Sequence, residues 1–114
     1  MVLLILVLNK TECLEDILEA FSENDLRGAT VIESRGMAHS LYDHDELQFV
    51  ASLRRLLDPS HQENKTIFMV LEDEKVAVVS KIVNEVTGGL DQPDTGILFT
   101  LPVSHLEGIK KLEA

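Results

Sequence analysis

Read for chemistry, the chain offers histidines beside carboxylates, glycines beside a threonine, and a single thiol. His39, Asp43, His44 and Asp45 lie close together in sequence. Imidazole nitrogens and carboxylate oxygens are ligands for divalent metals. No HExxH-like spacing sets these four on one helical face, and a solvated loop is the plainer account. His61 and His105 stand alone and carry no assigned site. Cys13 falls on an apolar stripe, as a core thiol would. No Ser-His-Asp order, P-loop or pair of carboxylates in helical register stands out, so an enzymatic reading has little support.

A second group has a different character. Gly28-Ala29-Thr30-Val31-Ile32-Glu33-Ser34-Arg35-Gly36 is a β-branched run between glycines, and later come Gly88-Gly89 and Asp94-Thr95-Gly96. Glycine lets backbone N–H groups approach an anionic ligand, and a threonine hydroxyl both donates and accepts hydrogen bonds. Each residue also has a structural account. Thr30 suits a strand. Gly36 and Gly96 suit a positive φ or a tight strand entry, Gly88 a helix C-cap, and Asp94 a turn.

The elements that would position these residues are legible from periodicity. Val2 to Leu8 is apolar on both faces, which predicts a strand covered on each side. Thr11 is placed to cap a helix with Glu12, Glu15 and Asp16 in its first turns and Cys13, Leu14, Ile17, Leu18 and Phe21 as its buried stripe. Ala29 to Arg35 reads as the second strand. From Met37 the texture changes to small residues, histidines and acids, and then Leu47, Val50, Leu53, Leu56 and Leu57 recur at helical spacing before Pro59. That stripe reads as a helix packed on the protein's own surface, or alternatively as a partner-binding element. Ser60 to Asn64 reads as loop and Lys65 to Leu71 as a third strand. Asp73 is the expected cap of a helix faced by Val76, Val79, Ile82, Val83 and Val86. Thr87-Gly88-Gly89 ends that helix, Leu90 to Thr95 is turn-rich, and Gly96 opens the last strand, Ile97 to Val103. The order predicts an α+β, ferredoxin-like βαββαβ sandwich: an antiparallel four-stranded sheet with two helices and a helical insertion.

The totals restrict function. At 114 residues the chain is expected to form one domain, 1–114. Its net charge of −10 argues against nucleic acid and against an anionic membrane surface. Aromatics make up only 4%, with no Trp, so the core must be Leu, Ile and Val. One cysteine fits a reducing compartment, and the N-terminal apolar run is too short to span a bilayer, so a cytoplasmic location is expected.

The glycine–threonine–glycine strand resembles the second strand of the nitrogen regulatory protein P-II family, where it precedes the mobile T-loop. Ile82-Val83, Thr87-Gly88, Asp94-Thr95-Gly96-Ile97-Leu98-Phe99 and Leu101-Pro102-Val103 resemble the family's second half. The resemblance covers most of the chain except the excursion 41–64, the T-loop equivalent. It implies a non-enzymatic homotrimer that binds an adenine nucleotide in clefts between subunits and regulates a partner, often a transporter or enzyme. Carried over, Thr30 and Gly36 flank the nucleotide on the second strand, with Met37 and His39 after them. Gly88 and Gly89 border it from the second helix, Asp94 and Gly96 form the phosphate-side turn, and Lys110 stands near one of two C-terminal arginine positions.

The departures narrow the ligand. Ile97 stands where the family has a lysine, Gly108 and Lys110 where it has arginines, Ala38 where it has a glycine, and His39 where it has an arginine. With so little cationic compensation, AMP, ADP or cyclic AMP is expected rather than ATP, or a different small anion. No cofactor is required. The alternatives are a divalent-metal-binding trimer of the kind represented by the divalent-cation tolerance protein CutA, and a structural trimer without a ligand.

Overall fold

The computed structural model describes residues 1–37 and 63–108. Strand β1, Val2–Leu8, is built from branched and aliphatic side chains that suit a pleated, packed surface. Its burial alternates. Leu4, Leu6 and Leu8 are fully buried, whereas Leu3, Ile5 and Val7 keep part of their surface. The sequence suggested cover on both faces; among the described residues only one face has it.

A 3-10 turn, Thr11–Cys13, leads into helix α1, Leu14–Glu23. Thr11 opens that turn and is not a cap; the residue before it is Lys10, and no side chain caps either segment. The reason lies in the exit from β1, where the N–H groups of Asn9 and Lys10 both donate to Thr95 O at 3.0 and 3.1 Å. The backbone is already tied down before Thr11 begins. Strand β2 is Thr30–Ser34, one residue shorter at each end than the alternation suggested. Strand β3, Asn64–Leu71, begins one residue before the expected start, because Asn64 pairs with Ser34 across the ladder. Asn64 therefore belongs to the sheet and not to the excursion. The expected helical stripe from Leu47 to Leu57 lies outside the described residues.

A second 3-10 turn, Asp73–Lys75, precedes helix α2, Val76–Thr87. Asp73 does not cap it. Its carboxylate instead takes the Met1 ammonium at 3.2 Å, since β3 ends beside the start of β1. Strand β4, Gly96–Pro102, completes the sheet.

The strand order is β2-β3-β1-β4, with every neighbouring pair antiparallel. Each helix links two strands separated by a third, so two split βαβ units interlock. This is the ferredoxin-like α+β fold. Ile17 and Phe21 of α1 and Val79, Ile82 and Val83 of α2 close over Leu4, Leu6, Leu8, Ile67 and Met69 to form the core. The other sheet face carries Leu3, Ile5, Val7, Phe68 and Val70. Beside them Ile32, Ile97, Phe99 and Leu101 are exposed. No helix among the described residues is long and apolar enough to cross a membrane.

Candidate functional site

The sheet topology gathers most of the candidate residues at one end. Gly96, Leu8, Lys65 and Glu33 form a single row across the four strands. Beyond that row lie the end of β2 with Gly36 and Met37, the Gly88-Gly89 turn after α2, and the Asp94-Gly96 entry to β4.

Helix α2 ends here for local reasons. Thr87, almost fully buried, donates its hydroxyl to Val83 O at 2.7 Å, and Gly88 takes a left-handed φ of 88° as the C-cap. That conformation carries no Cβ penalty at glycine. The turn then closes on itself. The N–H of Gly88 donates to Asn84 O at 3.1 Å and that of Gly89 to Thr87 Oγ1 at 3.3 Å. The N–H of Leu90 donates to Asn84 Oδ1 at 2.8 Å and that of Gln92 to Gly89 O at 3.1 Å. From outside, Lys10 Nζ donates to Thr87 O at 2.9 Å, and the Cys13 thiol lies 3.7 Å from Val86 O. An ammonium at the carbonyl end of a helix is well placed against the macrodipole. Burial pushes the Cys13 thiol pKa up, which keeps it protonated.

Asp94 is exposed at φ 56°, a left-handed conformation that aspartate tolerates in turns. Thr95 is buried, and its carbonyl receives Asn9 and Lys10. Gly96 is a tight strand entry: a Cβ there would stand 2.6 Å from Val7 O and 3.3 Å from Leu8 Cα.

At the opposite edge, Ser34 Oγ bonds Asn64 Oδ1 at 2.5 Å and lies 2.7 Å from Thr66 Oγ1. Lys65 Nζ donates to Glu33 Oε1 at 2.7 Å and Arg35 to Glu63 at 3.2 Å. The hydrogen bond and charge of Lys65 hold the Glu33 carboxyl below its ordinary range. Gly36 has no positive φ, and a Cβ there would make only an ordinary 3.6 Å contact with Asn64 Nδ2. Met37 is 79% exposed.

Two separations decide how these residues can act together. The edges β2 and β4 are three strand spacings apart, about 14 Å. Thr30 opens β2 and Gly36 lies past its end, six residues on, roughly 20 Å along an extended strand. The two therefore do not sit side by side on one chain. His39, Lys110 and the histidine–carboxylate cluster from His39 to Asp45 lie outside the described residues. Among the described residues, no group of three His, Cys, Asp or Glu side chains is placed to hold a metal. Of the residues that brace the turn, Lys10 and Asn84 were missed from sequence, whereas Thr87 and Thr95 stood in the quoted motifs without an assigned role.

Residues 2–113 match the model of the family described as Nitrogen regulatory protein P-II. No curated protein matches the sequence. The structure is similar to the crystal structure of a functionally unknown protein from Pediococcus pentosaceus ATCC 25745. The two share 17% identity with a TM-score of 0.61, over 95% of this chain and 96% of that one. At that identity the likeness shows the fold alone.

Proposed function

The chain belongs to the nitrogen regulatory protein P-II family, and on that premise we propose that it is a non-enzymatic, trimeric signalling protein. It binds an adenine nucleotide, AMP, ADP or cyclic AMP rather than ATP, or another small anion, in clefts between its subunits. Occupancy then regulates a partner protein such as a transporter or an enzyme.

One observation carries this reading. Most of the described candidate residues fall at one end of the sheet but towards opposite edges, and Thr30 lies a full strand length from Gly36. A single chain leaves the site in halves; a neighbouring copy that brings its Thr30 to this chain's Gly36, Gly88 and Gly89 completes it. The apolar face that the described residues leave uncovered supplies a reason to associate, because burying apolar area yields about 25 cal/mol per Å². Ile32, Ile97, Phe99 and Leu101 are large apolar side chains on this face that are left partly in water.

The experiment has two parts. Light scattering of the purified protein is expected to give three times the chain mass; a monomer mass refutes the assembly. A thermal-shift panel of ATP, ADP, AMP and cyclic AMP is expected to show stabilisation by at least one of the last three. No shift at millimolar concentration from any of them refutes the nucleotide.

A further inference from the structure

We infer that Asn64 reads the base of the ligand, its side-chain amide donating to an acceptor nitrogen of the adenine ring. This inference rests on the nucleotide reading above and names the atoms through which this chain recognises the base.

The sheet face opposite the helices carries a polar cluster where β2 ends and β3 begins. Ser34 pairs with Asn64 in the ladder and Ile32 with Thr66, so Ser34, Asn64 and Thr66 are neighbours on that face. Their protons can be assigned. Ser34 Oγ and Asn64 Oδ1 are 2.5 Å apart, inside the O–H···O range and below the N–H···O range, so the amide oxygen is the atom facing Ser34. An amide oxygen carries no proton, and Ser34 supplies the one between them. Thr66 Oγ1, 2.7 Å from Ser34 Oγ, must then donate to it. The chain runs from Thr66 through Ser34 to Asn64 Oδ1, each bond polarising the next, and it ends in a strengthened donor, the Asn64 NH₂ group. That group has no hydrogen-bond partner among the described residues, although Asn64 is only 9% exposed. It lies beside the open side of Gly36, where an added Cβ would stand 3.6 Å from Nδ2. A nearly buried amide N–H without a partner calls for an acceptor. The adjoining surface suits a flat ring. Thr66 belongs to the row Ile32, Thr66, Val7, Ile97, in which both isoleucines are exposed. An adenine laid on this hydrocarbon brings a ring nitrogen, an acceptor without a proton, to the Asn64 amide.

Isothermal titration of the full-length protein with AMP, ADP and cyclic AMP, each beside its 1-deaza, 3-deaza and 7-deaza counterpart, tests this. Each counterpart replaces one ring nitrogen by C–H and keeps the shape of the base. One of the three replacements is expected to weaken binding about tenfold, because the amide is left without its partner. In Asn64→Leu that difference is expected to disappear. Asn64→Asp keeps the acceptor for Ser34 and removes the donor, so it gives the same readout where the apolar variant does not fold. Its added charge acts on parent and counterpart alike and cancels in their ratio. Deaza counterparts that all bind as their parents do overturn the inference and leave the nucleotide reading standing. So does a difference that survives in the folded Asn64 variants. Absence of binding by all three nucleotides overturns the nucleotide reading, and the inference falls with it.

Discussion

Two glycines that look alike in the sequence should behave differently when a methyl group is added. At Gly96 the new Cβ would stand 2.6 Å from Val7 O, against about 3.4 Å for an ordinary contact. Val7 O is backbone and the Cβ position is fixed by its own backbone, so no rotamer can relieve the overlap. The entry of β4 must lift from the end of β1. That displaces the Leu8–Gly96 pair and the Thr95 carbonyl that accepts Asn9 and Lys10. Overpacking of this kind costs about 1–3 kcal/mol, and each displaced hydrogen bond about 1 kcal/mol. Gly96→Ala should therefore lose about 3 kcal/mol. Gly36→Ala meets only Asn64 Nδ2 at 3.6 Å and has no positive φ. Its expected change is near zero, or a gain of about 0.5 kcal/mol through the less flexible unfolded chain. Urea denaturation at matched protein concentration measures both, with unchanged m-values as the condition for comparison. A loss below about 1 kcal/mol for Gly96→Ala, or equal losses for the two variants, refutes the reasoning. The same Gly36→Ala protein then reports on the ligand. If it is fully folded but no longer stabilised by nucleotide, its glycine serves the cleft and not the strand.

Other predictions follow from single contacts. Leu6→Ala, at a fully buried centre of β1, should lose about 2–5 kcal/mol in urea denaturation; a loss under 1 kcal/mol would mean that the site collapses freely. Cys13 is buried with its thiol pKa raised, so iodoacetamide at mildly alkaline pH should label the native protein far more slowly than the urea-unfolded chain. Equal rates would show that the helix opens readily. Glu33 has a folded pKa below its unfolded value, so its stabilising effect is present above the unfolded value of about 4.3 and fades as pH falls through the folded value. Glu33→Gln should be the less stable protein at neutral pH, with the difference closing on acidification. A difference that grows as pH falls contradicts the sign.

The fold was readable because its signals were periodic and local. The apolar runs of β1 and β3, the spacing of Ile17, Phe21, Val79 and Val83, and the left-handed Gly88 each follow from nearby residues alone. The two helix starts were not readable. Thr11 and Asp73 have the right side chains for caps, but Thr95 and Met1 engage these segments from distant parts of the chain. Cover on both faces of β1 was misjudged for a related reason, since hydrophobicity reports that a face must be covered and not which chain covers it. At the site, the glycine positions were legible and their meaning was not. Sequence cannot show that Gly88 and Gly89 have their N–H groups already bonded, nor that Lys10 reaches across to Thr87.

Thr30 offers the sharpest test of whether the uncovered sheet face and the ligand belong to one mechanism. Its register partner is Phe68, whose row continues through Ile5 to Phe99, so the side chain lies on the uncovered face. Of the three hydroxyls on that face, Ser34 and Thr66 have each other at 2.7 Å, whereas Thr30 has no hydrogen-bond partner among the described residues. Covering the face with a second copy takes all three from water. Burying an unpaired hydroxyl costs about 1–3 kcal/mol, so an empty cleft leaves Thr30 unfavourably placed and a ligand with a polar edge relieves it. Thr30→Val keeps the branch and removes the oxygen. The variant should therefore match or exceed the parent in ligand-free stability and trimer mass, while losing about tenfold in ligand affinity, or about 1.4 kcal/mol. A variant that is less stable without ligand would show that the hydroxyl already has a partner in the assembly. One that binds ligand as the parent does would separate Thr30 from the cleft.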